Sequence, residues 1–72
     1  MSRKIMLPCE RGAKLKSLLK ERCITQEAFA DLAYVEVRTV RRWLKGEGLD
    51  SVTNLSACAD ILEVDVMTIL YE

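Results

Sequence analysis

The sequence predicts an all-α domain: five short helices around one small core. Three observations carry that expectation. Apolar residues recur at helical spacing, first Leu15, Leu18 and Leu19, then Val40 and Trp43, then Val52, Leu55, Cys58, Ala59 and Leu62. Helix-starting residues stand just before the later stretches (Thr25, Ser51 and Asp65), and Gly46 and Gly48 break the pattern between them. No pair of segments alternates well enough to build a sheet, and 72 residues hold at most one small domain.

Taken in order, residues 1–8 are expected to be an extended arm ending at Pro8, and 9–72 the folded domain. Ile5 and Leu7 alternate with Met6, which suits a short edge strand or a mobile arm. A first helix is predicted over 9–22, with its leucines inward, Lys14, Lys16 and Lys20 on the wet face, and Gly12 weakening its first turn slightly. Thr25 caps a second helix running to Ala33, whose positive end suits Glu27 and Asp31. Glu36 is expected to cap a third helix over 37–45, where packing outweighs the small penalty of β-branched Thr39 and Val40. A short acidic loop follows. Ser51 caps a fourth helix over 52–62, whose core face is Val52, Leu55, Cys58, Ala59 and Leu62. Val64 turns inward, and Asp65 caps a last helix over 66–70. The initiator-like Met1 and this capped final helix weigh against a fragment of a longer protein.

The formal net charge is zero, but its distribution is lopsided. Residues 1–45 carry eleven bases against five acids, or +6; residues 46–72 carry six acids and no base, or −6. A polyanion responds to the local patch, because cellular salt screens charge beyond about 8–10 Å. The segregation therefore favours a polarised binding face. No apolar run is long enough to cross a bilayer, and the basic start is too short in apolar residues for a secretory signal, so a cytoplasmic protein is expected.

Cys9, Cys23 and Cys58 are widely spaced, and the chain has no histidine and no paired-cysteine motif, so no metal site is expected. Cys58 falls on an apolar stripe and is expected in the core, Cys23 is expected to be packed, and Cys9 exposed; a reducing compartment suits all three. Enzyme chemistry finds no foothold: no histidine, nucleophile elbow, phosphate-cradling glycine loop or carboxylate pair on an apolar cleft. No cofactor or small-molecule ligand is expected.

Function concentrates in residues 25–46, TQEAFADLAYVEVRTVRRWLKG. Two short helices meet there at a tight corner. Small Ala30 lets their axes approach, Val35 plugs the corner, and Val40 and Trp43 share the inner face of the second. The opposite face offers Arg38, Arg41, Arg42 and Lys45. This is the layout of a helix-turn-helix, one helix braced across the phosphate backbone and the other laid in a major groove. Val37, Arg38 and Thr39 open that second helix and would lie nearest the base edges. Arg38 is the best specificity candidate, since a guanidinium can bond guanine O6 and N7 together, and Val37 can touch a thymine methyl. Arg42, one turn on, shares the face of Arg38; Arg41 and Lys45 form a second pair, better suited to phosphates. A solvated surface is the bland alternative for these cations, and Glu36 and Asp31 would neutralise some of them. Trp43 at this spacing is a core residue rather than a base-stacking platform.

From about Leu15 to Leu70 the chain resembles the lambda-repressor-like (Cro/repressor-type, XRE-like) helix-turn-helix family. Thr25-Gln26 stands where that family opens its first motif helix with Ser or Thr and then Gln, Ala30 stands at its close-packing position, Val35, Val40 and Trp43 on its core positions, and Gly46 where its recognition helix ends. Tyr34 departs from the glycine common in the family's turn: it must become left-handed, at about 1 kcal/mol or somewhat more, or reshape the turn. Leu44 stands where an acid is common.

The resemblance implies a DNA-binding transcription regulator, a repressor acting as a dimer on a two-fold operator, of the Cro type carried by phages and mobile elements or of the antitoxin-like type. It makes Gln26 a phosphate contact. It also implies pairing through the last helix and the loop after the recognition helix, which points to Met67, Leu70, Tyr71 and Leu49; the alternative, that they finish the monomer core, suits Leu70 about as well and Tyr71 less well. Arg3, Lys4, Arg11, Lys14 and Lys16 are further candidates for phosphate, explained nearly as well by a wet helix face. The competing class is a protein-interaction adaptor or antirepressor on the same fold, favoured by the zero net charge and by Tyr34.

Overall fold

The computed structural model describes residues 4–71 and contains α1 (Pro8–Glu21), α2 (Gln26–Ala33), α3 (Val37–Leu44), α4 (Val52–Leu62) and α5 (Met67–Leu70). The all-α, five-helix expectation is met. Residues 1–3 of the expected arm, with Arg3, lie outside the described residues. The rest of the arm is pinned: Met6 is buried, its N–H donates to the Leu70 carbonyl at 2.9 Å, and Ile5 bridges antiparallel to Tyr71. Among the described residues no helix is long and apolar enough to cross a membrane.

The core follows the sequence pattern. Leu15, Leu18 and Leu19 of α1, Phe29 and Ala30 of α2, Val40 and Trp43 of α3, and Leu55, Cys58, Ala59 and Leu62 of α4 form one buried cluster, closed by Leu49 and Ile69. Phe29 meets Trp43 edge to face at a centroid separation of 6.3 Å, which places Trp43 in the core. Val52 is the exception on the α4 stripe. It is the first residue of the helix and is 76% exposed.

The first four helices end alike. At Cys23, Tyr34, Gly46 and Glu63 the backbone turns to positive φ. In each case the next residue donates its N–H to the carbonyl five residues before it: Ile24 to Leu19, Val35 to Ala30, Glu47 to Arg42, Val64 to Ala59. These are Schellman closures, which usually take glycine at the left-handed position. Only Gly46 obeys. Tyr34 adopts φ 57° and ψ 41°, so the turn keeps its geometry and the side chain bears the strain. That side chain is 95% exposed and gains no packing in return. Tyr34→Gly is therefore expected to stabilise the domain by about 0.5–1 kcal/mol, relief of left-handed strain outweighing the added chain entropy. Urea unfolding with an unchanged m-value checks it.

Cys23 is exposed at this strained position, not packed as the sequence suggests, because the left-handed turn throws its side chain outward. Cys9 is exposed and Cys58 buried. Burial raises the Cys58 thiol from the ordinary 9.0 to about 12. The folded chain thus keeps a proton that the unfolded chain releases, and stability is expected to fall as pH rises from about 9 towards about 12. At neutral pH an alkylating reagent should modify Cys9 and Cys23 quickly and Cys58 only on unfolding.

Candidate nucleic-acid interface

Three contacts aim α3. Thr25 caps α2, its hydroxyl accepting the Ala28 N–H at 3.1 Å. The Schellman closure at Tyr34 then turns the chain, and half-buried Val35 packs on the core inside the corner. At the far end Gly12 of α1 lies against the Leu44 carbonyl and the Gly46 amide, so close that a β-carbon there would sit 2.7 Å from the Gly46 nitrogen. With Val40 and Trp43 buried, Arg38, Arg41, Arg42 and Lys45 are necessarily turned out to solvent.

Each of the three arginines meets an acid. Arg38 Nε lies 3.1 Å from Glu36 Oε2, Arg42 Nε 3.2 Å from Glu47 Oε2, and Arg41 Nη2 4.0 Å from Glu27 Oε1. Arg41 Nε also donates to Gln26 Oε1 at a long 3.4 Å. Asp31, expected to neutralise part of this charge, enters no ion pair among the described residues. Glu36 makes no side-chain cap to α3, contrary to expectation, because its carboxylate is turned to Arg38. Glu47 crosses the supposed charge divide: the first acid of the negative half folds back onto the positive helix.

The remaining candidates divide. Gln26 is half-buried at the start of α2, where it lines a shallow cleft of about 320 Å³ with Lys16, Arg41, Leu44 and Lys45. A neighbouring cleft shares Lys16, Gln26 and Leu44 and adds Lys20, a cation that sequence reasoning left on the wet face. Apolar Leu44, where the family commonly has an acid, lines both. Four cations and an amide, against the single acid Glu27 on the second cleft, leave an excess of positive charge that can hold an anion. Val37 is half-buried and packs on the core, so only part of it faces outward, and Thr39 is half-buried beside Arg42. Lys4 and Lys14 are exposed.

Arg11 is no free cation: its Nε donates to the Met6 carbonyl at 3.0 Å and its Nη1 to the Leu49 carbonyl at 2.8 Å, tying the arm to the 46–51 loop. Leu49, a candidate for pairing between copies, is wholly buried in its own core, because the two-glycine loop folds it inward, and it offers no surface. Met67 is 40% exposed, and Leu70 and Tyr71 are half-buried.

Comparison with known proteins agrees with this geometry. The family model for helix-turn-helix domains matches residues 15–68. No curated protein matches the chain in sequence. The restriction-modification controller protein C.AhdI from Aeromonas hydrophila is similar in structure, with a TM-score of 0.79 at 21% identity over 88% of this chain and 96% of that one. The clp gene regulator ClgR from C. glutamicum gives 0.80 at 20% identity, over 89% of this chain and 83% of its own. Hydroxypropylphosphonic acid epoxidase from S. wedmorenis gives 0.80 at 21% identity over 96% of this chain, which spans only 36% of that enzyme. At these identities the likenesses show a shared fold.

Proposed function

Because the chain belongs to the helix-turn-helix family, we propose that it binds double-stranded DNA in a sequence-specific manner as a small transcription regulator, a repressor that occupies a two-fold operator as a dimer. The observation that carries this reading is the outer face of α3, where Arg38, Arg41, Arg42 and Lys45 all stand in solvent. The fold shared with C.AhdI, a restriction-modification controller protein, and ClgR, a clp gene regulator, supports it. Arg38 and Arg42 read bases with Val37 and Thr39 beside them, while Gln26, Arg41 and Lys45 hold phosphates along the cleft between α2 and α3. Pairing runs through Met67, Leu70 and Tyr71, next to the exposed Ile5 and Leu7 of the arm. Two copies double a footprint that one domain leaves small, and the bound dimer excludes polymerase. The setting is the cytoplasm of a bacterium or of a phage-infected host.

Selection from a randomised duplex library at two salt concentrations tests the proposal. A two-fold symmetric site is expected, with affinity falling steeply as salt rises, because cations released from the duplex drive binding. Weak binding at low salt with no enriched sequence would favour the other reading, an adaptor or antirepressor that meets a protein partner. The specific observation on that side is Tyr34, 95% exposed on a strained corner.

A further inference from the structure

We propose that Glu36 and Glu47 are positioning residues for the two base-reading arginines, each occupying the Nε side of one guanidinium so that its two Nη groups face a single guanine end-on. This inference rests on the DNA-binding reading. A guanidinium can meet guanine O6 and N7 with two neighbouring donors, either its Nη pair or Nε together with one Nη. At Arg42 the Nε donates to Glu47 Oε2 at 3.2 Å, and at Arg38 the Glu36 carboxylate sits beside the Nε at 3.1 Å as an ion pair without a directed hydrogen bond, so in both the Nη pair is the edge left open. Arg41 differs: its Nε and Nη2 turn back towards Gln26 and Glu27 at the start of α2, on the phosphate-facing cleft.

The two carboxylates are themselves placed by the ends of α3. The Glu36 carbonyl accepts the Thr39 N–H at 2.9 Å, and the Glu47 N–H donates to the Arg42 carbonyl at 2.9 Å in the Schellman closure. Glu47 thus grips Arg42 by backbone and side chain together. Both pairs are largely exposed, with side chains 81% and 75% accessible for Arg38 and Glu36, and 71% and 58% for Arg42 and Glu47. Pairs so wet add little to folding stability. What they can do is restrict a long side chain that otherwise loses much rotamer freedom on binding, and repel phosphates wherever no guanine repays the approach. Arg38 and Arg42 stand four residues apart, about 6 Å along the helix, which matches guanines roughly two base steps apart.

The test uses the full chain and four duplexes: the selected site, the same site with adenine for the guanine whose preference Arg38→Ala abolishes, the same site with adenine for the guanine whose preference Arg42→Ala abolishes, and an unrelated sequence. Glu36→Ala removes both charge and acceptor; Glu36→Gln removes the charge and keeps an acceptor at similar reach. With Glu36→Ala the preference for guanine over adenine is expected to fall about tenfold at that one position, while binding to the unrelated duplex rises a few-fold. With Glu36→Gln most of the preference should survive and the unrelated duplex should still bind more tightly. Glu47→Ala and Glu47→Gln should repeat the pattern at the position read by Arg42. If all four variants raise affinity for the four duplexes by one common factor, the carboxylates are only repelling charges and the proposal falls while DNA binding stands. If the unaltered chain binds no duplex, the DNA reading falls and takes this one with it.

Discussion

Gly12→Ala is expected to destabilise the domain by about 1–3 kcal/mol or somewhat more, the opposite of what an alanine does in an ordinary exposed helix. Sequence reasoning sees a glycine in the first helix and assigns it a small weakening, which alanine would repair. The structure reverses the sign. Gly12 is buried where α1 crosses the end of α3, and an added β-carbon would press on the Leu44 carbonyl and lie 2.7 Å from the Gly46 amide. Those are backbone atoms of the Schellman closure, so they cannot yield as a flexible side chain would. Nor is the other wall free, because a β-carbon at Gly46 would in turn meet the Pro8 carbonyl and lie 2.8 Å from the Cys9 nitrogen. The variant must shift α1 or open the end of α3, which is also where Lys45 and Glu47 sit. Denaturant unfolding should register the loss, and DNA affinity should fall with it while Arg38 remains intact. Unchanged or increased stability would mean that the crossing has slack and that α3 is aimed mainly by the corner at Tyr34.

Much of this fold was legible because short-range physics sets it. Leu15, Leu18 and Leu19, or Leu55, Cys58, Ala59 and Leu62, each pack on the face that their spacing puts inward. Thr25 and Ser51 cap α2 and α4 through their own hydroxyls, and Asp65 accepts the Met67 N–H at 3.0 Å. The misreadings concern long-range contacts. Nothing local marks Arg11 as a clasp reaching a carbonyl 38 residues away. Nothing local marks Leu49 as core, since an apolar residue in an acidic two-glycine loop can as well face a partner. Helix ends were legible to within a residue, α2 and α4 closing at Ala33 and Leu62 as expected, even though Cys23, Tyr34 and Glu63 take the left-handed closure without the glycine that usually signals it. For the candidate site, the outward cations followed directly from the inward placement of Val40 and Trp43. Which acid meets which arginine did not, because Glu27 and Glu47 reach α3 from other segments.

Arg38→Ala is expected to weaken binding to the selected site by about 1–3 kcal/mol, roughly five- to 150-fold, and to flatten preference at one base position in each half-site. Arg38 lies in the first turn of α3, and on the proposed dock that places its guanidinium among the groups nearest the groove floor. Its side chain is 81% accessible and its one ion pair is exposed, so folding stability should move by no more than about 0.5 kcal/mol. A loss of affinity at unchanged stability is then a loss of recognition. Lys45→Ala supplies the contrast. Lys45 follows the last turn of α3 and lines the cleft with Gln26 and Arg41, where an anion rather than a base edge would sit. Its removal should weaken every duplex alike and reduce the slope of log affinity against log salt by about one. Binding isotherms for both variants on cognate and unrelated duplexes, at two or more salt concentrations, separate the roles. If Arg38→Ala lowered affinity for all sequences equally and Lys45→Ala altered the consensus, the reading end of α3 would be its C-terminus, and the dock would have to be turned end for end in the groove.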